Sequence, residues 1–324
     1  MRKNKTMAAL LAGALVLLLL AGCSGRIDER GEPYKVWFVA KSVDTQFWLS
    51  AFAGAGAARA EYNVDLTIVG PETEEDYPRQ NEYIAQAVAE GADAVVFSAI
   101  SYSDNAPAIN AAADAGVKIV VIDSDVDSRK VNVRIGTDNV RAGRMTAAAV
   151  LDTGETELFV GIVNFDLGSR NGQEREQGLR EVLSREERVR SMVTVNVAAT
   201  PEAALEGVEA LMEAHPELNV LVGLNEPLAV GVARWAAMYG ADRDMRVVGF
   251  DTNVECVDRM RDGAVAALIA QNPYAMGYLG VECAWKLLEG ESFDADVWLD
   301  TATTIVTREN MFTPESQRAL FSFG

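Results

Sequence analysis

The chain has 324 residues, 49% apolar and 24% charged, enough to bury one large core or two ordinary ones. Twenty-nine Lys and Arg against 48 Asp and Glu give a net charge of −19, which repels phosphate backbones and argues against nucleic-acid binding. One histidine, His215, and three cysteines disfavour Ser-His-Asp hydrolysis and a multi-His metal site.

At the N-terminus, Arg2, Lys3 and Lys5 precede an apolar run from Ala8 to Leu20. That run is short for a transmembrane helix and suits the apolar core of a signal peptide. Leu20-Ala21-Gly22-Cys23 resembles a bacterial lipobox, in which the Cys is lipidated and becomes the mature N-terminus. Residues 1–22 therefore read as a lipoprotein signal, Cys23 as the lipidation site and 23–33 as a polar tether. A plain secretory signal is the alternative. Without the three early basic residues, the mature 302 residues carry 26 basic against 48 acidic side chains, or −22. No second run of 18 apolar residues follows, so the expected membrane attachment is the lipid alone. Cys256 and Cys283 fall in predicted helices. They read either as a disulfide, which an oxidising compartment permits, or as small buried residues.

From Tyr34 onward short apolar runs alternate with amphipathic segments. Strands are predicted at 36–40, 64–69, 94–97, 118–122 and 131–135, with helices at 47–62, 77–90 and 105–115 between them. The rhythm then repeats. Helices at 140–151, 173–183, 202–214, 228–239, 254–261 and 273–288 alternate with strands at 158–163, 192–197, 220–222, 247–250 and 265–270. Continuous apolar strands suit parallel sheets covered on both faces. About ten strands are too many for one comfortable open sheet, so the pattern predicts an α/β chain with two doubly wound domains.

In such sheets ligands sit beyond the carboxyl ends of the strands. The residues there are Lys41, Thr45, Phe47 and Trp48 after the first strand, then Ser98, then Asp123 and Ser124, then Asp138. In the second half they are Arg175 in the first helical turns, Asn225, Asp251 and Gln271. Carboxylates, amides and a guanidinium match vicinal hydroxyls, and aromatic faces match the C–H face of a sugar ring. Asp, Asn and Ser after strands also serve as helix N-caps, and for Asp138 and Asn253 that reading is at least as strong. Other motifs fail. Asp123 to Asp127 begins like a calcium loop but has Ser128 and Arg134 where Gly and Glu are required. No Gly-x-Gly-x-x-Gly follows a strand, and no nucleotide-hydrolysing loop is present. No metal or cofactor is expected, and His215 reads as a charge partner at a helix end.

Val247-Val248-Gly249-Phe250-Asp251, Ile269-Ala270-Gln271-Asn272-Pro273, Ile135-Gly136-Thr137-Asp138-Asn139 and Gln173 to Leu179 occur in this order. Together they make the chain resemble the type I periplasmic sugar-binding proteins, specifically the ribose-binding-protein-like group, from about Val36 to Thr307. The resemblance implies two Rossmann-like lobes with parallel sheets joined by three crossovers, near Asp138, Gln271 and Asp300. Residues 34–138 plus 272–300 would form the N-terminal lobe, and 139–271 plus 301–324 the C-terminal lobe. It implies that Phe47 and Trp48 sandwich the ring, that Asp123 receives hydroxyls, that Arg175 donates from the second lobe, and that Asn225, Asp251 and Gln271 complete the contacts.

Departures from the ribose pattern are Lys41 for Ser, Thr45 for Asn, Ser98 for Asn and Ser124 for Arg. Ala199 stands where the second-lobe aromatic aligns. The implied ligand is therefore a small sugar or polyol other than ribose, bound by a monomer that delivers it to an ABC permease outside the cytoplasmic membrane. A sensor subunit presenting the ligand to a membrane kinase or chemoreceptor is the alternative. A glycosidase using Asp123 and Asp251 is set aside, because both carboxylates sit among charge-satisfying donors.

Overall fold

The computed structural model describes residues 31–165, 167–240, 244–294 and 298–321. The signal segment, Cys23 and most of the tether lie outside these residues. Two six-stranded sheets form. The first runs β11-β5-β4-β3-β1-β2, from β1 (Lys35–Val39), β2 (Asp65–Val69), β3 (Ala94–Phe97), β4 (Lys118–Ile122), β5 (Val133–Gly136) and β11 (Trp298–Asp300). The second runs β12-β10-β9-β8-β6-β7. Its strands are β6 (Leu158–Asn164), β7 (Val189–Asn196), β8 (Val220–Gly223), β9 (Arg246–Phe250), β10 (Ala267–Ala270) and β12 (Thr304–Thr307).

Every pairing is parallel except β10 with β12, which is antiparallel. The sheets are thus mostly parallel, as the two-lobe α/β reading expects. After β11 the chain re-enters the second sheet within three residues, which leaves no length for the crossover that a parallel strand needs. β11 and β12 were not foreseen, being three and four residues long and at sheet edges.

Nine helices of the described residues cover the sheets, in addition to a short C-terminal one. In chain order they are α1 (Gln46–Tyr62), α2 (Tyr77–Ala89), α3 (Ala106–Asp114), α4 (Asn139–Leu151), α5 (Arg170–Leu183), α6 (Pro201–Ala214), α7 (Glu226–Trp235), α8 (Val254–Arg261), α9 (Pro273–Leu288) and α10 (Pro314–Leu320). The helix expected through Tyr239 widens into a π-turn over Ala236–Gly240. In the first lobe alternate strand residues serve two cores. Val36, Phe38, Val96, Val120 and Ile122 face α1 and α9. Trp37, Val39, Val95, Phe97, Ile119 and Val121 face the other layer, with Ile84 of α2 and Ile109 of α3. That double burial is why these strands read as unbroken apolar runs.

The helices beside the crossovers pack at unusually short range. A Cβ on Gly54 would lie 2.0 Å from the Tyr274 carbonyl oxygen, and one on Gly277 would lie 1.8 Å from that of Ala51. α4 and α5 meet in the same way through Gly143 and Gly178 in the second lobe. Cys256 and Cys283 are free, buried in the cores of different lobes, and burial pushes both thiols up to about 12. The disulfide reading is thereby closed. His215 ends α6, with its Nδ1 3.3 Å from the Glu217 carboxylate.

Candidate functional site

Both lobes share one strand order, 2-1-3-4-5, so each has its switch point between its first and third strands. In the first lobe those strand ends are tied together from behind by Gln80. Its Nε2 donates to the carbonyls of Ala40 (2.9 Å) and Ser98 (2.8 Å), and its Oε1 accepts from Ile100 N–H (3.1 Å). The two switch points face each other across a narrow cleft between the lobes. Its walls include Lys41, Thr45, Phe47, Trp48, Asp123, Asn225, Asp251 and Gln271, eight of the twelve ligand positions read from the sequence.

Asp123 and Asp251 hold equivalent places. Each follows the fourth strand of its lobe, each donates its backbone N–H to the strand beyond (Ile135 O at 3.0 Å, Ile269 O at 2.9 Å), and each has positive φ, 56° and 68°. A left-handed backbone at two non-glycine residues is strain of the kind that persists at binding sites. Asp123 accepts from Ser98 Oγ at 3.0 Å and from Asn171 Nδ2 at 3.3 and 3.4 Å. Gln271 Nε2 donates to Asp251 at 2.6 Å. Burial pushes the Asp251 carboxyl up to about 7, although Arg175 and the Gln271 hydrogen bond pull it down.

The first-lobe wall is organised by Glu74, which the sequence reading passed over. Its carboxylate accepts from Trp48 Nε1 at 3.0 Å and pairs with Lys41 Nζ at 3.1 Å. Lys41 also donates to Ser169 Oγ of the second lobe at 3.3 Å and sits 5.1 Å from the ring centre of Phe165. Trp48 is fully buried, with its ring edge-on to Phe47. Thr45 caps α1 by accepting from Trp48 N–H, and Asn225 caps α7 by accepting from Leu228 N–H.

Four positions are placed differently from expectation. Asp138 is exposed and caps α4 by accepting from Arg141 N–H, which is the capping reading rather than ligand contact. Ser98 stands behind Asp123 and orients it. Ser124 is buried away from the cavity, with no hydrogen-bond partner for its hydroxyl. Arg175 is buried behind the wall. Its Nε donates to Asn139 Oδ1 (2.9 Å), Nη1 to the Leu224 carbonyl (2.9 Å) and Nη2 to Gln271 Oε1 (3.0 Å). The guanidinium stacks 4.0 Å from the Phe250 ring and lies 3.8 Å from Asp123. It therefore joins two crossovers, at Asn139 and Gln271, and gives three of its five N–H donors to protein groups.

The second-lobe aromatic missing at Ala199 is supplied by Phe165, buried on the cavity wall. Asn171, Glu226 and Pro227 complete that wall. Phe165 had a usable signal, since it directly follows an apolar strand. Glu74 and Asn171 had none, because loop and helix carboxylates and amides are common on surfaces. Among the described residues no group of three or more His, Cys, Asp or Glu is arranged to hold a metal ion, and no helix is long and apolar enough to cross a membrane.

A periplasmic binding protein domain model matches residues 36–292. The ribose import binding protein of Bacillus subtilis is 24% identical, with 86% of this chain and 92% of that protein covered. The D-ribose/D-allose-binding protein of Pseudomonas aeruginosa is 26% identical, with 90% and 97% covered. Among solved structures, a carbohydrate transporter solute-binding protein from Agrobacterium radiobacter in complex with D-arabinose superposes with a TM-score of 0.85. It is 26% identical, over 89% of this chain and 99% of that one. An Agrobacterium vitis solute-binding protein with bound D-fucose gives 0.84 at 26% identity, over 89% of this chain and all of the other. These relatives are sugar-import and solute-binding proteins of transporters. With the match running through both lobes, the chain belongs to the type I periplasmic sugar-binding protein family.

Proposed function

We propose that this protein is an extracytoplasmic solute-binding lipoprotein, anchored through Cys23, that captures one small sugar or polyol between its lobes and passes it to an ABC permease. The observation that carries this reading is the pair of left-handed aspartates, Asp123 and Asp251, facing one cavity between Phe47 and Trp48 on one wall and Phe165 on the other. Carboxylates accept from vicinal hydroxyls, and the rings take the apolar face of a sugar. Lys41 and Thr45 on the cavity wall depart from the ribose pattern, which favours a pentose, hexose or polyol other than ribose.

The lobes proposed are residues 34–138 with 272–300, and 139–271 with 301–324, acting as a monomer. The ligand bridges both walls, so it favours the closed arrangement and shifts the population towards it. No bond is made or broken. A thermal-shift panel of pentoses, hexoses and polyols tests the reading. A true ligand at 100 times its Kd stabilises by about 2.7 kcal/mol. Asp251→Ala should remove that shift and leave a folded protein. A panel with no responder, or an Asp251→Ala variant with wild-type affinity, overturns the reading. Membrane-fraction mass spectrometry of the N-terminal peptide tests the anchor, since an unmodified Cys23 would exclude it.

A further inference from the structure

The first turn of α1 leaves backbone N–H groups without intrahelical partners. Thr45 of the same lobe takes that of Trp48. The N–H groups of Gln46 and Phe47 donate instead to Glu226 of the opposite lobe, at 3.1 Å to Oε1 and 2.7 Å to Oε2. Glu226 opens α7 and is buried. The exchange is mutual. Gln46 Oε1 accepts the N–H of Val254, the first residue of α8 in the second lobe, at 3.0 Å. Asn253, whose Oδ1 accepts from Glu255 N–H at 2.8 Å, turns its Nδ2 onto Glu226 Oε1 at 2.9 Å. Two helix N-termini, one per lobe, are thus each capped by a side chain from the other lobe, with Asn253 joining them.

Within one helix, reciprocal capping of this kind fixes the first turn. Here the partners lie on separate lobes, so the contacts exist only while the lobes are together. When they part, the N–H groups of Gln46 and Phe47 and the Glu226 carboxylate return to water. The stabilisation therefore differs between the two arrangements, which is the condition for a contact to shift their balance. The position of the contacts is also informative. Glu226 touches the cavity, but Gln46 is outside its walls, on the exposed rim.

We propose that Glu226 and Gln46 form a trans-capping latch that sets how far the lobes close before any sugar arrives, and so scales sugar affinity. The second half of this inference rests on the sugar-binding reading above; the first does not. Affinity follows because the apparent Kd is the intrinsic one divided by the closed fraction. Glu226 and Gln46 act as positioning residues, through the arrangement of the Phe47–Trp48 wall.

The test uses the whole mature chain. Small-angle X-ray scattering of the sugar-free protein measures its radius of gyration. Stopped-flow with the sugar that responds in the panel separates association from dissociation. Glu226→Ala and Gln46→Ala should both enlarge the sugar-free particle and raise koff, about five- to ten-fold for Glu226→Ala and about two- to three-fold for the exposed Gln46. Glu226→Gln keeps acceptor oxygen and should fall between. Wild-type scattering and koff in both alanine variants would overturn the latch. So would weakening by Glu226→Ala alone with unchanged scattering, because Glu226 would then be a sugar contact only. If no sugar binds the wild type, the functional reading fails, and the scattering comparison still decides the latch.

Discussion

Arg175→Met tests the largest change that the structure makes to the sequence reading. A ligand donor could be truncated with loss of affinity alone. The buried guanidinium instead makes three hydrogen bonds to neutral acceptors, on Asn139, Leu224 and Gln271, and faces Asp123 and Asp251. Burial lowers its affinity for the proton, and those two carboxylates restore part of it. Removing one member of a buried charge group costs about 3–5 kcal/mol, because the partners stay behind uncompensated. Each abandoned acceptor adds to this if no water replaces the donor. Met fills much of the stem volume, so the cavity term stays small. At about 2–4 °C per kcal/mol for a domain of 150–250 residues, the sugar-free melting temperature should fall by about 6–20 °C. The double variant Arg175→Met with Asp123→Asn should recover part of that loss, since it neutralises one abandoned carboxylate. Calorimetry or circular dichroism melts of the three proteins measure it. If Arg175→Met melts within 2 °C of wild type and loses only sugar affinity, the guanidinium is a ligand donor and the hinge assignment is wrong.

Gly277→Ala should destabilise by about 1–3 kcal/mol or more, because its Cβ meets the Ala51 carbonyl at 1.8 Å and neither backbone can yield without parting α1 from α9. Gly56→Ala, on the same α1 with nothing within 4 Å, should stabilise by about 0.5–1 kcal/mol, and chemical denaturation of the two variants checks both signs. Burial pushes the Asp251 carboxyl in the folded protein up to about 7, well above the ordinary aspartate value of about 3.9, so its contribution to stability is present below about pH 4 and is lost as pH rises towards 7. Asp251→Asn escapes that loss. Its melting temperature relative to wild type should therefore climb between pH 5 and 7 and level off above about 8. A pH-independent difference would contradict the raised pKa.

The alternation of strands and helices, the doubly wound class and the positions of most strand ends were legible because they rest on local rules. Double burial makes strands such as Val36–Val39 and Val95–Phe97 continuous and apolar, and Asn and Thr before helices mark their starts. Since ligands sit at strand ends in this architecture, that much also placed eight cavity residues. What sequence could not decide depends on which groups meet from distant segments. Glu74 lies on a loop and reaches Lys41 and Trp48 only once the first lobe folds. Arg175 has the chemistry of a ligand donor, yet the crossovers surround it with Asn139, Leu224 and Gln271, 36 to 96 residues away in sequence. Asp138 and Asp251 are both aspartates after strands. One turns to solvent and caps a helix, while the other is buried with positive φ beside a guanidinium. Residue type and spacing set what each side chain can do; burial and the partner brought from the other lobe decide what it does.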